Sequence, residues 1–176
     1  MSDDIDGVWT GFYTHSRRRF GITARFAPTG RNLRGAMTDA VLVHEYTLSD
    51  LRADHGLTGE QADAILAAIR VHVPQAEADH IVSVRRLPQA AELNGYVHGA
   101  VVRFRKQYQG ECWGGWRVEW RFGPQTFGDE RPGHAVEYEG ELSADGNRIG
   151  GRWWIPANAA ADDPGAEGTF ELRRGR

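Results

Sequence analysis

The sequence predicts an all-β fold with a small helical insertion, arranged as an up-and-down antiparallel β-barrel of about eight to ten strands. Three observations carry this. Short stretches alternate apolar and polar residues with a period of two, the mark of half-buried antiparallel strands. They follow one another as hairpins, with Gly- or Pro-containing turns between them. The pattern changes only once, over about 48–79, where the apolar spacing becomes helical.

The clearest hairpin is Ala135–Leu142, the turn Ser-Ala-Asp-Gly-Asn, and Arg148–Ile155. Val136, Tyr138, Gly140 and Leu142 share one face of the first arm, and Glu137, Glu139 and Glu141 the other. In the return arm Ile149, Gly151, Trp153 and Ile155 oppose Gly150, Arg152 and Trp154. Asp145-Gly146 provides the turn, since Gly accepts the positive φ that hairpin loops demand.

Earlier in the chain, Val8–His15, Phe20–Phe26 and Leu33–Asp39 read as strands. Both faces of the first carry aromatics, so its inward side stays open. Thr47 or Ser49 caps a short helix ending before Gly56, and Thr58 with Gln61 forms a capping box for a second, which Pro74 stops. This helical pair is expected to cover a barrel end or its outer wall. Strands then follow at His80–Arg86, Glu92–Val97 and Val101–Tyr108. Gly110–Gly115 reads as flexible, Trp116–Phe122 as a strand, Gly123–Gly133 and 157–167 as loops, and Gly168–Leu172 as the last strand. Closing such a series removes unpaired edges.

The chain has 176 residues, which suits one domain over 1–176 with the insertion inside it. A net charge of -3 with both signs interspersed argues against a dedicated nucleic-acid or membrane-surface binder. No apolar run reaches the roughly 18 residues of a membrane span. The acidic opening Met1–Asp6 is no signal peptide, and the single Cys112 allows no internal disulfide, so a cytoplasmic setting is expected.

Gly7-x-Trp9-x-Gly11-x-Tyr13 at the first strand resembles the opening of the calycin superfamily, the lipocalins, avidins and fatty-acid-binding proteins. The resemblance implies a barrel closed at one end by Trp9, with a basic residue after the last strand, Arg173 or Arg174, stacked over it. It also implies binding of a small, largely apolar molecule. Met37-Thr-Asp-Ala40 only partly echoes the lipocalin Thr-Asp-Tyr turn, and the helical insertion is foreign to a minimal lipocalin or avidin. The resemblance therefore implies no subfamily and no particular ligand.

Candidate site residues are the polar and aromatic groups that fall on inward faces. Asp39 is in phase with Leu33, Gly35 and Met37, and Lys106 with Val102, Phe104 and Tyr108. A buried ion is costly unless paired, so these two are expected to be partners or to face a wet cavity. With Tyr13, His15, Tyr108 and Tyr138 they would orient a ligand, while Trp120 and Trp153 form apolar walls. The alternative is that Asp39 and Lys106 reach solvent at strand ends and the tyrosines anchor the core. Trp116 and Trp120 are in phase and read first as core. Trp113, in a Gly-rich stretch, reads as an exposed stacking residue. Trp153 and Trp154 point to opposite faces, so one of them packs outside, against a helix, a loop or a second copy of the chain.

No metal or cofactor is expected. The seven histidines show no metal-ligand spacing, Cys112 lacks an activating neighbour, and no Gly-rich loop opens a helix. A non-catalytic ligand-binding barrel is the first expectation. A filled barrel serving as an interaction module comes second. An enzyme using Asp39, Lys106 and Tyr108 for proton transfer comes third.

Overall fold

A computed structural model describes residues 5–157 and 165–175. The sequence's 157–167 loop therefore lies largely outside the described residues. The contacts group the chain into two compact units. The first is Met1–Leu42, Pro88–Gly110 and Gly133–Arg176, and the second is Val43–Leu87 and Glu111–Pro132.

The first unit is a closed, eight-stranded, antiparallel up-and-down barrel. Its strands are β1 (Gly7–His15), β2 (Arg18–Thr29), β3 (Asn32–Asp39), β6 (Ala91–His98), β7 (Val101–Tyr108), β10 (Ala135–Leu142), β11 (Arg148–Ile155) and β12 (Ala166–Arg174). β12 closes the wall against β1, with Tyr13 opposite Phe170 and Gly11 opposite Leu172. The alternation in the sequence sorts the inward residues. Trp9, Ile22, Ala24, Phe26, Leu33, Met37, Leu93, Val102, Phe104, Tyr138, Ile149 and Leu172 are all buried. Trp9 settles the open question of β1: its face is the inner one.

An aromatic column fills the middle of the barrel. Phe104 stacks on Tyr138 with ring centroids 4.7 Å apart, and Phe26 and Phe170 meet Phe104 at 5.4 and 6.1 Å. These rings fit because inward positions beside them are glycine. At Gly140 a Cβ would lie 2.9 Å from the Phe170 ring and 2.8 Å from the Gly150 carbonyl oxygen. At its cross-strand partner Gly151 a Cβ would likewise lie 2.4 Å from the Gly140 Cα.

The outer wall is charged. Glu139 pairs with Arg152 at 3.1 Å and Arg103 at 3.6 Å, and Glu137 with Arg105 at 3.6 Å. The glutamate row is thus a cross-strand ladder in water, where each pair contributes little. No helix among the described residues is long and apolar enough to cross a membrane.

The second unit is a four-stranded antiparallel sheet in the order β4-β5-β8-β9, with two short helices. Its elements are β4 (Val43–Thr47), α1 (Leu48–Asp54), α2 (Gly59–Arg70), β5 (Ile81–Arg86), β8 (Glu111–Val118) and β9 (Gln125–Pro132). Thr47 caps α1 with Asp50 as its reciprocal partner, and Thr58 and Gln61 cap α2 in the same way. Leu48, Ile69, Val73, Ala76, Ile81 and Val118 form the core between helices and sheet. The insertion's own apolar face packs on this sheet.

Three expectations change here. Gly110–Gly115 and the start of Trp116–Phe122 are one strand, β8, which ends at Val118. The expected loop 123–133 is mostly β9, paired to β8 with Phe127 opposite Trp116. Trp113 is not an exposed platform: it is half-buried in β8, its ring lies across Gly115 and Gly128, and the Arg86 guanidinium sits 5.1 Å above it. Glycine at 115 and 128 leaves the groove that this ring occupies.

Candidate functional site

Both ends of the barrel are built from side chains that its register brings level. At one end Trp9 is fully buried and its indole N–H donates to the Ile5 carbonyl at 2.9 Å. The Arg174 guanidinium lies 5.0 Å over the Trp9 ring. Arg173 points to the outer wall, bound to Glu171 at 2.9 Å. Of the two basic residues after the last strand, Arg174 is therefore the one over Trp9.

At the other end three polar side chains close on one another. Lys106 Nζ donates to Asp39 Oδ1 at 2.7 Å, to Asp39 Oδ2 at 2.6 Å and to the Tyr108 oxygen at 2.9 Å. The Tyr108 hydroxyl donates to Asp39 Oδ2 at 2.9 Å. The Lys106 and Asp39 side chains are 1% and 2% exposed, so this is a buried ion pair. β3 and β7 are not adjacent in the wall, because β6 lies between them. On β6, Ala91 stands opposite Met37 on one side and Tyr108 on the other, and Leu93 stands opposite Lys106.

An aromatic wall belongs to the same end. Tyr13 stacks on Phe20 at 5.2 Å and meets the edge of Trp153 at 5.7 Å, and His15 meets Trp153 at 5.6 Å. The Trp153 N–H donates to the Thr14 carbonyl at 2.9 Å, which fixes the indole across the β1 end. Tyr138 enters from β10, its ring held between Phe104 and Phe170.

The electrostatics follow from burial. Desolvation pushes the Lys106 ammonium below its ordinary range, and the Asp39 carboxylate opposes that shift. Desolvation and then the Asp39 charge push the Tyr108 hydroxyl far above the ordinary range. Tyr138 rises well above it for the same two reasons, with Tyr13 adding to them.

Seven of the eight sequence-derived site residues, Tyr13, His15, Asp39, Lys106, Tyr108, Tyr138 and Trp153, belong to the barrel and to this end of it. Trp120 does not. It lies beyond the end of β8 and packs against the second unit's Leu48, Ile69 and Val118 cluster. The strand stops because the Glu119 N–H bonds the His80 carbonyl and a turn follows, with Gly123 N–H on the Trp120 carbonyl. Ala91, opposite Tyr108, carries no signal in the sequence, since a small residue in a strand has no chemistry to announce it.

A surface cleft of about 810 Å³ lies elsewhere, along Ser143, Arg148, Arg173 and Arg174. Arg148 and Arg173 share the single carboxylate of Glu171, at 3.4 and 2.9 Å, and Asp145 also lines the cleft, so its three arginines stand beside two carboxylates. Among the described residues no group of three or more His, Cys, Asp and Glu is placed to hold a metal. Comparison with protein-family models, with curated proteins and with solved structures yields no match.

Proposed function

We propose that this protein is a non-catalytic binder of a small, largely apolar molecule, held at the Asp39–Lys106–Tyr108 end of the barrel. One observation carries the reading: a buried, mutually bonded polar cluster faces an aromatic wall at one end of an otherwise apolar interior. Ligand sites combine apolar lining with a few convergent polar groups in this way. Arg174 over Trp9 supports a calycin-like plan in which that end is closed and the other receives the ligand. The charged outer wall suits an aqueous setting, and the lone, buried Cys112 suits the cytoplasm.

The test is titration with N-phenyl-1-naphthylamine, a neutral fluorescent probe. Saturable binding with quenching of tryptophan emission, reduced in Trp153→Phe, is the expected result. Absence of saturable binding would overturn the reading.

A second reading, proton-transfer catalysis by the same three residues, is favoured by the lowered affinity of Lys106 for its proton. It ranks lower because every Lys106 N–H is already committed to Asp39 or Tyr108. A homodimer through Trp154 also ranks lower. Its ring is already flanked by Arg152 at 5.1 Å and Arg103 at 5.7 Å.

A further inference from the structure

Outward arginines on the barrel wall are paired almost everywhere. Arg103 and Arg152 share Glu139, Arg105 meets Glu137, and Arg148 and Arg173 share Glu171. Arg19 lies 4.5 Å over the Phe12 ring. Arg25 on β2 and Arg34 on β3 are the exceptions. Both are exposed, and neither side chain has an ion pair, hydrogen bond or ring contact among the described residues. Arg31, in the turn that joins these two strands, is exposed and uncommitted in the same way.

The register gathers these cations on one face. β2, β3 and β6 are consecutive in the wall. Arg34 stands level with Ala27 on β2 and with Asn94 on β6. Arg25 is two residues along β2 from Ala27, so it and Arg34 are diagonal neighbours, with backbones roughly 7–8 Å apart. Ala27, Ala36 and the facing pair Thr23 and Thr38 are short, so the guanidinium groups stand above their surroundings. Glu92 is the one carboxylate among the outward residues of the three strands.

An aromatic ring belongs to the same face. Tyr96 on β6 is 43% exposed and stands level with Asn32 on β3 and Arg103 on β7. Two other outward rings on the wall, Phe12 and Trp154, carry a guanidinium at 4.5 and 5.1 Å. Tyr96 carries none, and its side chain has no partner among the described residues. The amide of Asn94, the preceding outward residue of β6, is equally uncommitted.

We propose that the outer face of β2, β3 and β6 binds single-stranded nucleic acid, with Arg25, Arg31 and Arg34 on its phosphates and Tyr96 stacked on a base. The face holds the parts such a strand uses: cations for the backbone, an open ring for a base, and an amide that both donates and accepts at a base edge. A duplex fits poorly, because its bases stack on one another and no helix or ribbon stands out from this face to enter a groove. An acidic peptide would use the arginines and leave the ring and the amide idle. The chain's net charge of -3 does not oppose the proposal, because Glu137 and Glu139 are spent on their own arginines while this face stays positive. The face lies on the outside of the barrel, so the proposal is independent of a ligand in its interior.

The probe is fluorescein-labelled octathymidylate, titrated with the full chain and followed by fluorescence anisotropy over a series of sodium chloride concentrations. The expected result is saturable binding at low salt, with the logarithm of the association constant falling against that of salt at a slope of about -2, since three phosphate contacts on a single strand contribute about 0.7 each. Tyr96→Ala is expected to weaken binding about tenfold with the slope unchanged. Arg34→Gln is expected to weaken binding and reduce the slope by about 0.7. Arg152→Gln, which alters a paired arginine elsewhere on the wall, is expected to change neither. All three side chains are on the surface, and circular dichroism checks that each variant is folded. Absence of binding at low salt, or an affinity indifferent to Tyr96→Ala, would overturn the proposal. Tighter binding of decaglutamate than of octathymidylate would overturn it as well, and would make the face a site for acidic polypeptide.

Discussion

Lys106 and Asp39 meet across an intervening strand, with the ammonium 2.7 and 2.6 Å from the two carboxylate oxygens. Both side chains are sealed from solvent, so neither charge has water to fall back on. Removing one partner leaves the other ionised and buried. Lys106→Met and Asp39→Asn are each expected to lower stability by about 3–5 kcal/mol in urea unfolding. The double variant Asp39→Leu with Lys106→Met is expected to recover most of that loss. Additive losses in the double variant would show that the pair is not coupled.

Ala91 is buried on β6 opposite Tyr108. A branched side chain there has to find room beside the Tyr108 arm of the cluster. Ala91→Leu is expected to destabilise the barrel by about 1–3 kcal/mol through overpacking. It is also expected to disturb the cluster, visible as a changed Lys106 Nζ signal in nitrogen-detected NMR. An unchanged signal would mean that the triad does not depend on the small residue.

Alkaline titration reads the two buried tyrosines. Tyr108 and Tyr138 keep their protons in the folded state far above the ordinary phenol range, chiefly because burial disfavours the anion. Between the unfolded value near 10 and the folded one, the native state holds more protons than the unfolded state, so stability falls as pH rises. Lys106 acts in the opposite sense, but only between its lowered folded value and its unfolded value near 10.4, where the unfolded chain is the better proton binder. Above that, only the two tyrosines contribute, and stability is lost as pH rises. Absorbance of tyrosinate is expected to show Tyr108 and Tyr138 ionising only together with loss of circular dichroism. Smooth ionisation of all five tyrosines in a folded chain would contradict this.

The closed end can be separated from the site by mutation. Arg174→Gln removes the guanidinium from the Trp9 face, an interaction worth about 0.5–2 kcal/mol. Thermal unfolding is expected to register that loss, while N-phenyl-1-naphthylamine affinity stays within twofold. A large drop in affinity would place the probe at the Trp9 end.

In the second unit, Thr58→Ala removes the hydroxyl that accepts from the Gln61 N–H at 3.2 Å at the start of α2, while the backbone N–H at 58 can still donate to Gln61 Oε1. A loss of about 1 kcal/mol in helix stability is expected, read as faster amide exchange over Gly59–Arg70. Unchanged exchange would show that packing on Ile69 and Ala62 alone holds the helix.

Much of the barrel follows from the chain's own alternation. A period of two separates Val102, Phe104, Lys106 and Tyr108 from Arg103 and Arg105 before any partner strand is known. The cost of burying charge then couples Lys106 to Asp39 across 67 positions. Both helix caps are equally local, because a capping box is written within four residues. What alternation does not contain is pairing. The stretch 110–133 reads as loop, strand and loop because its glycines look like punctuation. In the fold Gly115 and Gly128 face each other so that the Trp113 ring can lie over them. Trp120 has the right phase for a wall residue, but β8 ends before it, and only the pairing of β5 with β8 sets that end. Arg174 rather than Arg173 covers Trp9 because the closing register of β12 on β1 puts Trp9 opposite residue 174. Ala91 comes to stand opposite Tyr108 only through the pairing of β6 with β7. The sequence by itself determined which residues face inward and which of them need a partner, because both follow from periodicity and desolvation. The tertiary structure decided which strands share a sheet and which side chains stand level, because those depend on contacts far apart in the chain.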